Sequence, residues 1–122
     1  MRKLACINVD SLCKHIEEIC YILINSLLEV LAINESKLDD TIFDTEVYIL
    51  GYIIIRSGSG VALYIRENLS YTNRIGLVSD ALEMICVEIN LPHSRLFLVC
   101  TWYRPLSVEM QLFDEHEKFV QH

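Results

Sequence analysis

The sequence predicts an α/β fold with a mixed sheet, in which a βαβ unit is followed by antiparallel hairpins and a C-terminal helix. Three observations support this fold class. Several apolar runs have the length of strands, one helical apolar stripe separates the first two runs, and turn residues separate the later ones. The 122 residues suffice for one domain, and the 52% share of hydrophobic residues argues against intrinsic disorder.

The βαβ unit is predicted from residues 4–33. Leu4 to Val9 and Leu28 to Ile33 are apolar runs typical of buried strands. Between them, apolar residues recur at the spacing of one helix face, namely Leu12, Ile16, Ile19, Leu23 and Leu27. Asp10 or Ser11 is expected to cap the start of this helix by accepting a backbone N–H. The two strands are therefore expected to be parallel neighbours.

The remaining elements form two strand pairs and a tail. Val47 to Arg56 and Val61 to Arg66 flank a Ser-Gly turn, and Glu83 to Leu91 is joined to Leu96 to Thr101 by a proline-containing turn. From Ser107 onward, apolar residues fall roughly on one side of a helix. The sheet is therefore expected to begin parallel and to end antiparallel.

Composition limits which binding partners and which cellular compartment are expected for the chain. The net charge of −7 disfavours binding to nucleic acid by charge alone. The five cysteines include no CxxC pair, which argues against zinc and for a reduced intracellular chain, nuclear or cytoplasmic. Asn8 and Asp10 interrupt the first apolar run too early for a signal peptide, and no apolar stretch approaches the ~18 residues of a membrane span. No membrane partner is expected.

Polar side chains follow the predicted strands at points where ligands commonly bind. Asn8 and Asp10 end the first strand, Glu35 follows the second, and Tyr103 and Arg104 follow a third. Carboxylates beside an amide are typical Mg²⁺ ligands, and a phenol with a guanidinium can orient a phosphate. Simpler interpretations stay open: Asp10 as a helix cap, Glu35 as a surface carboxylate, Tyr103 as an ordinary aromatic, and Arg104 as a solvated cation.

The order of five motifs resembles that of the endonuclease/exonuclease/phosphatase superfamily, whose fold is deoxyribonuclease I-like. The likeness extends over residues 4–120 and is greatest to the endonuclease domain of non-LTR retrotransposon polyproteins, which also carry a reverse transcriptase. The motifs are Cys6-Ile7-Asn8-Val9-Asp10-Ser11-Leu12, Leu31-Ala32-Ile33-Asn34-Glu35-Ser36-Lys37-Leu38, Gly51-Tyr52, Gly60-Val61-Ala62-Leu63-Tyr64 and Thr101-Trp102-Tyr103-Arg104-Pro105.

This resemblance implies Mg²⁺- or Mn²⁺-assisted hydrolysis of phosphodiester bonds in DNA. It implies that Glu35 is the principal metal ligand and that Asn8 orients the scissile phosphate or the attacking water. Asp10 matches an aspartate that some apurinic-site endonucleases place near the metal, although retrotransposon relatives often carry a basic residue there. Tyr103 matches a tyrosine that contacts the phosphate, and Arg104 stays a phosphate-binding candidate because of its charge.

Two family motifs are missing from the sequence. Relatives carry a Gly-Asp-x-Asn motif and a late Asp-His motif, which activate the water and contact the phosphate, and neither is present here. Residues 1–122 are therefore expected to be the N-terminal half of a sandwich domain, inactive or very weak alone. The alternative is a non-catalytic assembly fragment that self-associates through the apolar sheet face that half a sandwich would expose.

Overall fold

A computed structural model describes residues 3–58, 60–74, 83–90, 96–104, 107–114 and 117–121. In these ranges there are one α-helix, nine strands and two short 3₁₀ turns, at Cys13–His15 and Asp44–Val47. The helix and strands, in chain order, are β1 (Leu4–Asn8), α1 (Ile16–Ser26), β2 (Val30–Asn34), β3 (Tyr52–Ser57), β4 (Val61–Arg66), β5 (Ser70–Asn73), β6 (Glu83–Asn90), β7 (Phe97–Arg104), β8 (Ser107–Asp114) and β9 (Glu117–Gln121).

The strands form two sheets. The first has the order β1-β2-β4-β3, with β1 and β2 parallel and the other pairs antiparallel. The second has the order β5-β6-β7-β8-β9 and is antiparallel throughout. The predicted βαβ unit and mixed sheet are thus confirmed. The β1–β2 register pairs Asn8 with Asn34, so the two strands end at the same level.

The start of the helix differs from the prediction. Neither Asp10 nor Ser11 caps it, because α1 begins only at Ile16, after a 3₁₀ turn, and neither of these two elements has a side-chain capping hydrogen bond at its start. Asp10 and Ser11 instead lie in the left-handed region of backbone space, with φ of 46° and 93°. They belong to the segment that follows β1, at the carboxyl end of the parallel strand pair.

The end of the helix also differs. Leu12, Ile19 and Leu23 of the predicted stripe are fully buried, but Leu27 is 61% exposed. Leu27 has a φ of 54° and ends the helix in a left-handed conformation, so its side chain leaves the apolar face. The turn that follows is fixed by the buried hydroxyl of Tyr52, which donates hydrogen bonds to the carbonyls of Leu23 (3.2 Å) and Leu28 (2.5 Å).

Both faces of the first sheet are covered. One face packs on α1 and the loops that follow β1 and β2. The other face packs on the second sheet, through buried residues of both sheets: Val30, Ala32, Val61, Leu63, Ile65, Ile85, Val87, Ile89 and Val99. The expectation that this sheet exposes a bare apolar face is therefore wrong, because β5–β9 supply the sheet that covers it, whereas self-association of the chain stays a prediction.

The predicted C-terminal helix is also wrong. The segment after residue 106 forms β8 and β9, which extend the second sheet beyond β7. Val108, Met110 and Leu112 alternate with polar residues, which is the period of a strand, and β7 offers an edge that a strand can join. Val108 and Leu112 fit helical spacing equally well, so apolar spacing alone misled the prediction.

Smaller differences concern two other segments. The predicted strand from Val47 begins only at Tyr52, after the second 3₁₀ turn, whereas the hairpin of β3 and β4 forms as expected. β5 was not anticipated, since Ser70–Asn73 is polar and exposed throughout. Among the described residues, no helix has both the length and the apolar character needed to cross a membrane.

Candidate functional site

The carboxyl ends of β1 and β2 form one continuous edge of the first sheet. Backbone hydrogen bonds extend the pairing beyond the strands themselves, from Val9 N–H to Asn34 O (3.2 Å), Ser11 N–H to Glu35 O (2.8 Å) and Leu12 N–H to Ser36 O (2.8 Å). These bonds tie together the two segments that leave the strands. The structure thereby places three predicted site residues, Asn8, Asp10 and Glu35, at the same edge.

This edge has an unusual backbone. Five non-glycine residues in the described ranges have a positive φ, and four of them lie here: Asp10 (46°), Ser11 (93°), Glu35 (56°) and Lys37 (55°). Left-handed conformations are unfavourable for residues with a Cβ atom, and they concentrate at functional sites. One of the backbone hydrogen bonds described above joins two of them, Ser11 and Glu35, and the ion pair of Asp10 with Lys37 joins the other two. The edge is therefore a shaped and fixed surface.

Of the two predicted carboxylates at this edge, Glu35 is the one whose side chain has no partner among the described residues. It directly follows β2, is partly buried, and its side chain forms no hydrogen bond or ion pair with the described residues. Its backbone carbonyl, in contrast, is held by Ser11. A carboxylate anchored through its backbone and unengaged at its side chain is suited to bind a cation.

Asp10 is engaged differently. Its exposed carboxylate forms an ion pair with the ammonium group of Lys37, which belongs to the segment after β2. The Lys37 hydrogen bond and charge lower the pKa of Asp10, and Lys14 and His15 contribute less. Asp10 is therefore a carboxylate of the edge, as predicted, but one already partnered by a cation.

Asn34 belongs to the site and was not singled out from the sequence. It is fully buried beside the exposed Asn8, its register partner, and its Oδ1 has no hydrogen-bond partner in the described ranges. Its Nδ2 donates a long, 3.5 Å hydrogen bond to the thiol of Cys6, whose pKa is raised by burial. A polar residue at the end of an apolar strand was the available signal.

A second orphaned oxygen lies on the facing sheet. Thr101 on β7 is fully buried, and its Oγ1 has no partner among the residues described. It pairs with Ile85, a member of the core between the sheets. Buried oxygens without protein partners commonly bind water or a ligand, so these two atoms mark polar positions inside the sandwich.

Tyr103 and Arg104 are the last two residues of β7, the third of the strand ends where the sequence predicts site residues. Strands β2 and β7 contact each other across the sandwich. The side chains of Tyr103 and Arg104 lie outside what the structure describes, so their assignment to the phosphate stays a prediction. Pro105, the last residue of that motif, lies outside the described residues.

The donor set of the edge fits a hard divalent cation. Within the described ranges no three His, Cys, Asp or Glu residues cluster as a metal site. Mg²⁺ does not require such a cage, because it is usually bound by one or two carboxylates and keeps several waters for exchange with phosphate oxygens. Glu35 supplies one free carboxylate, Asp10 a second one that is paired, and Asn8 an amide.

Comparison with known proteins yields a likeness of fold. No protein-family model matches the sequence, and no curated protein sequence matches it. The structure is similar to that of an AP endonuclease from Archaeoglobus fulgidus, with a TM-score of 0.58 and 24% identity. The match covers 73% of this chain and 37% of the other. The chain therefore has part of a deoxyribonuclease I-like fold and spans little more than a third of that endonuclease.

Proposed function

We propose that this chain is part of a metal-dependent phosphodiesterase that hydrolyses phosphodiester bonds in DNA, of the kind found in non-LTR retrotransposon endonucleases. One observation carries the proposal: in a deoxyribonuclease I-like fold, Glu35 lies at the carboxyl edge of the parallel pair, one residue past the register partner of Asn8, and its carboxylate has no partner among the described residues. The structural neighbour, an AP endonuclease, supports the same class of chemistry.

Each residue of the edge has a role in this proposal. Glu35 holds Mg²⁺ or Mn²⁺, which when bound polarises the phosphoryl oxygen and stabilises the leaving oxyanion. The exposed amide of Asn8 donates to a phosphate oxygen and orients it. Lys37 keeps Asp10 ionised at the rim of the site. Tyr103 and Arg104 contact the phosphate from the second sheet.

The rate is expected to be low. The sequence contains neither a Gly-Asp-x-Asn nor an Asp-His motif, to which the resemblance assigns activation of the water. Groups of a catalytic site act as a unit, so a metal and phosphate site without a base retains only a small part of the rate. With a net charge of −7, the chain also relies on the metal for attraction to DNA.

Nicking of supercoiled plasmid with Mg²⁺ or Mn²⁺ tests the proposal. We expect slow nicking that chelation abolishes and that Glu35→Gln reduces by at least about 10–100-fold, the loss that removal of even an outer-shell metal partner causes. Glu67→Gln is the matched control. Glu67 is exposed and follows Arg66, at the end of β4 that pairs with the start of β2, so it lies at the opposite end of the sheet. Equal nicking by both variants contradicts the proposal.

Metal binding gives a readout that does not depend on the rate. At a Mn²⁺ concentration about tenfold above Kd, binding stabilises the folded state by about 1.4 kcal/mol. For a chain of 122 residues this raises the unfolding midpoint by about 5 °C. The Glu67→Gln variant should keep this shift and the Glu35→Gln variant should lose it. A shift of the same size in both variants contradicts the role of Glu35.

A further inference from the structure

Two cysteines face each other in the second sheet, away from the candidate site. Cys86 on β6 and Cys100 on β7 are register partners, and both are buried. Their Sγ atoms are 2.8 Å apart. Cys6, Cys13 and Cys20 all lie before β2 in the chain, and each is at least partly exposed. Cys86 and Cys100 are therefore a distinct, pre-aligned pair.

The backbone around Cys86 shows which kind of pair this is. In an antiparallel sheet, the N–H and C=O groups of a residue point to the same neighbouring strand. The carbonyl of Cys86 accepts a 2.8 Å hydrogen bond from Arg74, just past the end of β5, and so points away from β7. Cys86 and Cys100 thus form a non-hydrogen-bonded pair, in which Cα atoms lie about 4.5 Å apart and side chains approach closely. That separation falls within the range that a disulfide spans.

The two thiols share one hydrogen bond, which favours the thiolate of whichever sulfur accepts it, while burial by itself acts to raise the pKa of both. A thiolate is the nucleophile in reactions with peroxides and disulfides. Whichever of the two loses its proton first attacks the oxidant, and the other sulfur completes the bond.

We propose that Cys86 and Cys100 form a redox-active pair that closes to a reversible disulfide on exposure to a peroxide. Bringing the sulfurs to bonding distance requires a movement of only about 0.8 Å, to the ~2.05 Å of an S–S bond. The disulfide joins the adjacent strands β6 and β7 of the second sheet across about fourteen residues of chain. Its closure would link β7, the strand that ends at Tyr103 and Arg104, to the neighbouring strand β6.

The chemistry balances with hydrogen peroxide as the oxidant. When Cys86 is the first to react, its sulfur attacks one peroxide oxygen, the O–O bond breaks, and the departing hydroxide takes the Cys86 proton as water. The Cys100 sulfur then attacks the sulfenic sulfur of Cys86. The S–S bond forms, the S–O bond breaks, and a second water leaves with the Cys100 proton. Two thiols are oxidised by two electrons and one peroxide is reduced to two waters.

Trp102 provides a reporter beside the pair. It is the only tryptophan of the chain, and it packs with Cys86, Cys100 and Met84 in one buried cluster. Since a disulfide next to an indole quenches its fluorescence, closure and reduction of the bond should lower and restore the emission of Trp102.

The test uses the full chain with Cys6, Cys13 and Cys20 replaced by alanine, which leaves two of the five cysteines. After treatment with hydrogen peroxide, we expect a monomer without free thiols, lighter by two hydrogen atoms (about 2 Da). Its Trp102 emission should be reduced, and dithiothreitol should reverse both changes. Adding Cys100→Ser gives the matched control, which cannot form the bond and should gain oxygen instead of losing hydrogen.

Two results would overturn the proposal. One is a folded protein whose two thiols survive peroxide and react only in denaturant. The other is a mass gain of oxygen atoms without a linked product. Peptide mapping of the oxidised wild-type chain, carried out without reductant, tests the same bond even if the cysteine-depleted variant does not fold. A peptide pair joined through Cys86 and Cys100 supports the proposal, and its absence in oxidised wild-type protein contradicts it.

Discussion

Replacing Asn34 by leucine is expected to stabilise the protein. Asn34 is fully buried at the end of β2, next to Val61 on β4, and its Oδ1 has no partner among the described residues. Leucine has the same branching at Cγ but carries no polar atoms. The substitution therefore removes an orphaned acceptor from an apolar environment.

The size of the effect follows from three contributions. A buried acceptor without a partner costs about 1–3 kcal/mol, and its removal regains that amount. The amide gives up one long hydrogen bond to the thiol of Cys6, worth about 0.5 kcal/mol at most for so weak a partner. Fitting the bulkier leucine costs about 1 kcal/mol, at the low end for overpacking. With about 2 kcal/mol for the acceptor, the net gain is about 0.5 kcal/mol, or about 2 °C in the unfolding midpoint of 122 residues.

Urea unfolding followed by circular dichroism and by the emission of Trp102 measures this difference. Asn34→Asp is the matched control, because it keeps the shape and buries a charge. It should lose several kcal/mol at neutral pH. Burial raises the pKa of the introduced carboxyl above its unfolded value, so part of the lost stability should return as the pH falls and the group is protonated. If Asn34→Leu is less stable than the wild type, the Oδ1 atom has a partner in solution and the reasoning is wrong.

Two further predictions concern individual residues. Lys37→Met should raise the pKa of Asp10 toward its ordinary value, as measured by NMR titration, whereas Lys14→Met should move it less because Lys14 is a smaller cause of the lowering. Because the pKa of Asp10 is lowered in the folded state, the stabilisation from this pair is present above the ordinary carboxyl pKa and disappears as the pH falls through the lowered value. A stability difference between wild type and Lys37→Met that grows on acidification would contradict this assignment. Leu27→Gly should stabilise the protein by about 1 kcal/mol, since Leu27 is exposed and left-handed at the helix end. Ser26→Gly, at the last residue of the helix, should instead lose about 0.5 kcal/mol, the difference between glycine and serine in helix propensity. A loss in both variants during urea unfolding would refute the role of the left-handed conformation.

Local periodicity was sufficient for the first half of the fold. The βαβ unit follows from two apolar runs and a helical stripe, and Leu12, Ile19 and Leu23 are buried as that stripe predicts. The meeting of Asn8 and Glu35 at one edge then needs only the rule that parallel neighbours end together. These inferences depend on short-range sequence features, which a single chain displays.

The second half of the fold depends on which strands pair with one another, and local sequence patterns do not determine that pairing. Val108 and Leu112 fit the spacing of a helix and of a strand, and the edge of β7 decides in favour of the strand. The second sheet likewise forms because the apolar faces of β4 and β6 cover each other. The ion pair of Asp10 with Lys37, and the burial of Asn34 Oδ1 without a partner among the described residues, likewise depend on tertiary structure.

At the edge formed by β1 and β2, more non-glycine residues adopt unfavourable left-handed backbone conformations than anywhere else in the described chain. Elsewhere in those residues only Leu27 adopts a left-handed conformation without being glycine, and it does so at an exposed helix end. At the edge, Ser11 and Glu35 both do so, because the Ser11 N–H must reach the Glu35 carbonyl once the strands have ended. Glycine would satisfy this backbone at lower cost, but it could not carry the carboxylate of Glu35. Unfavourable backbone conformations of this kind, beside a carboxylate and a buried amide oxygen that both lack side-chain partners among the described residues, are typical of functional sites.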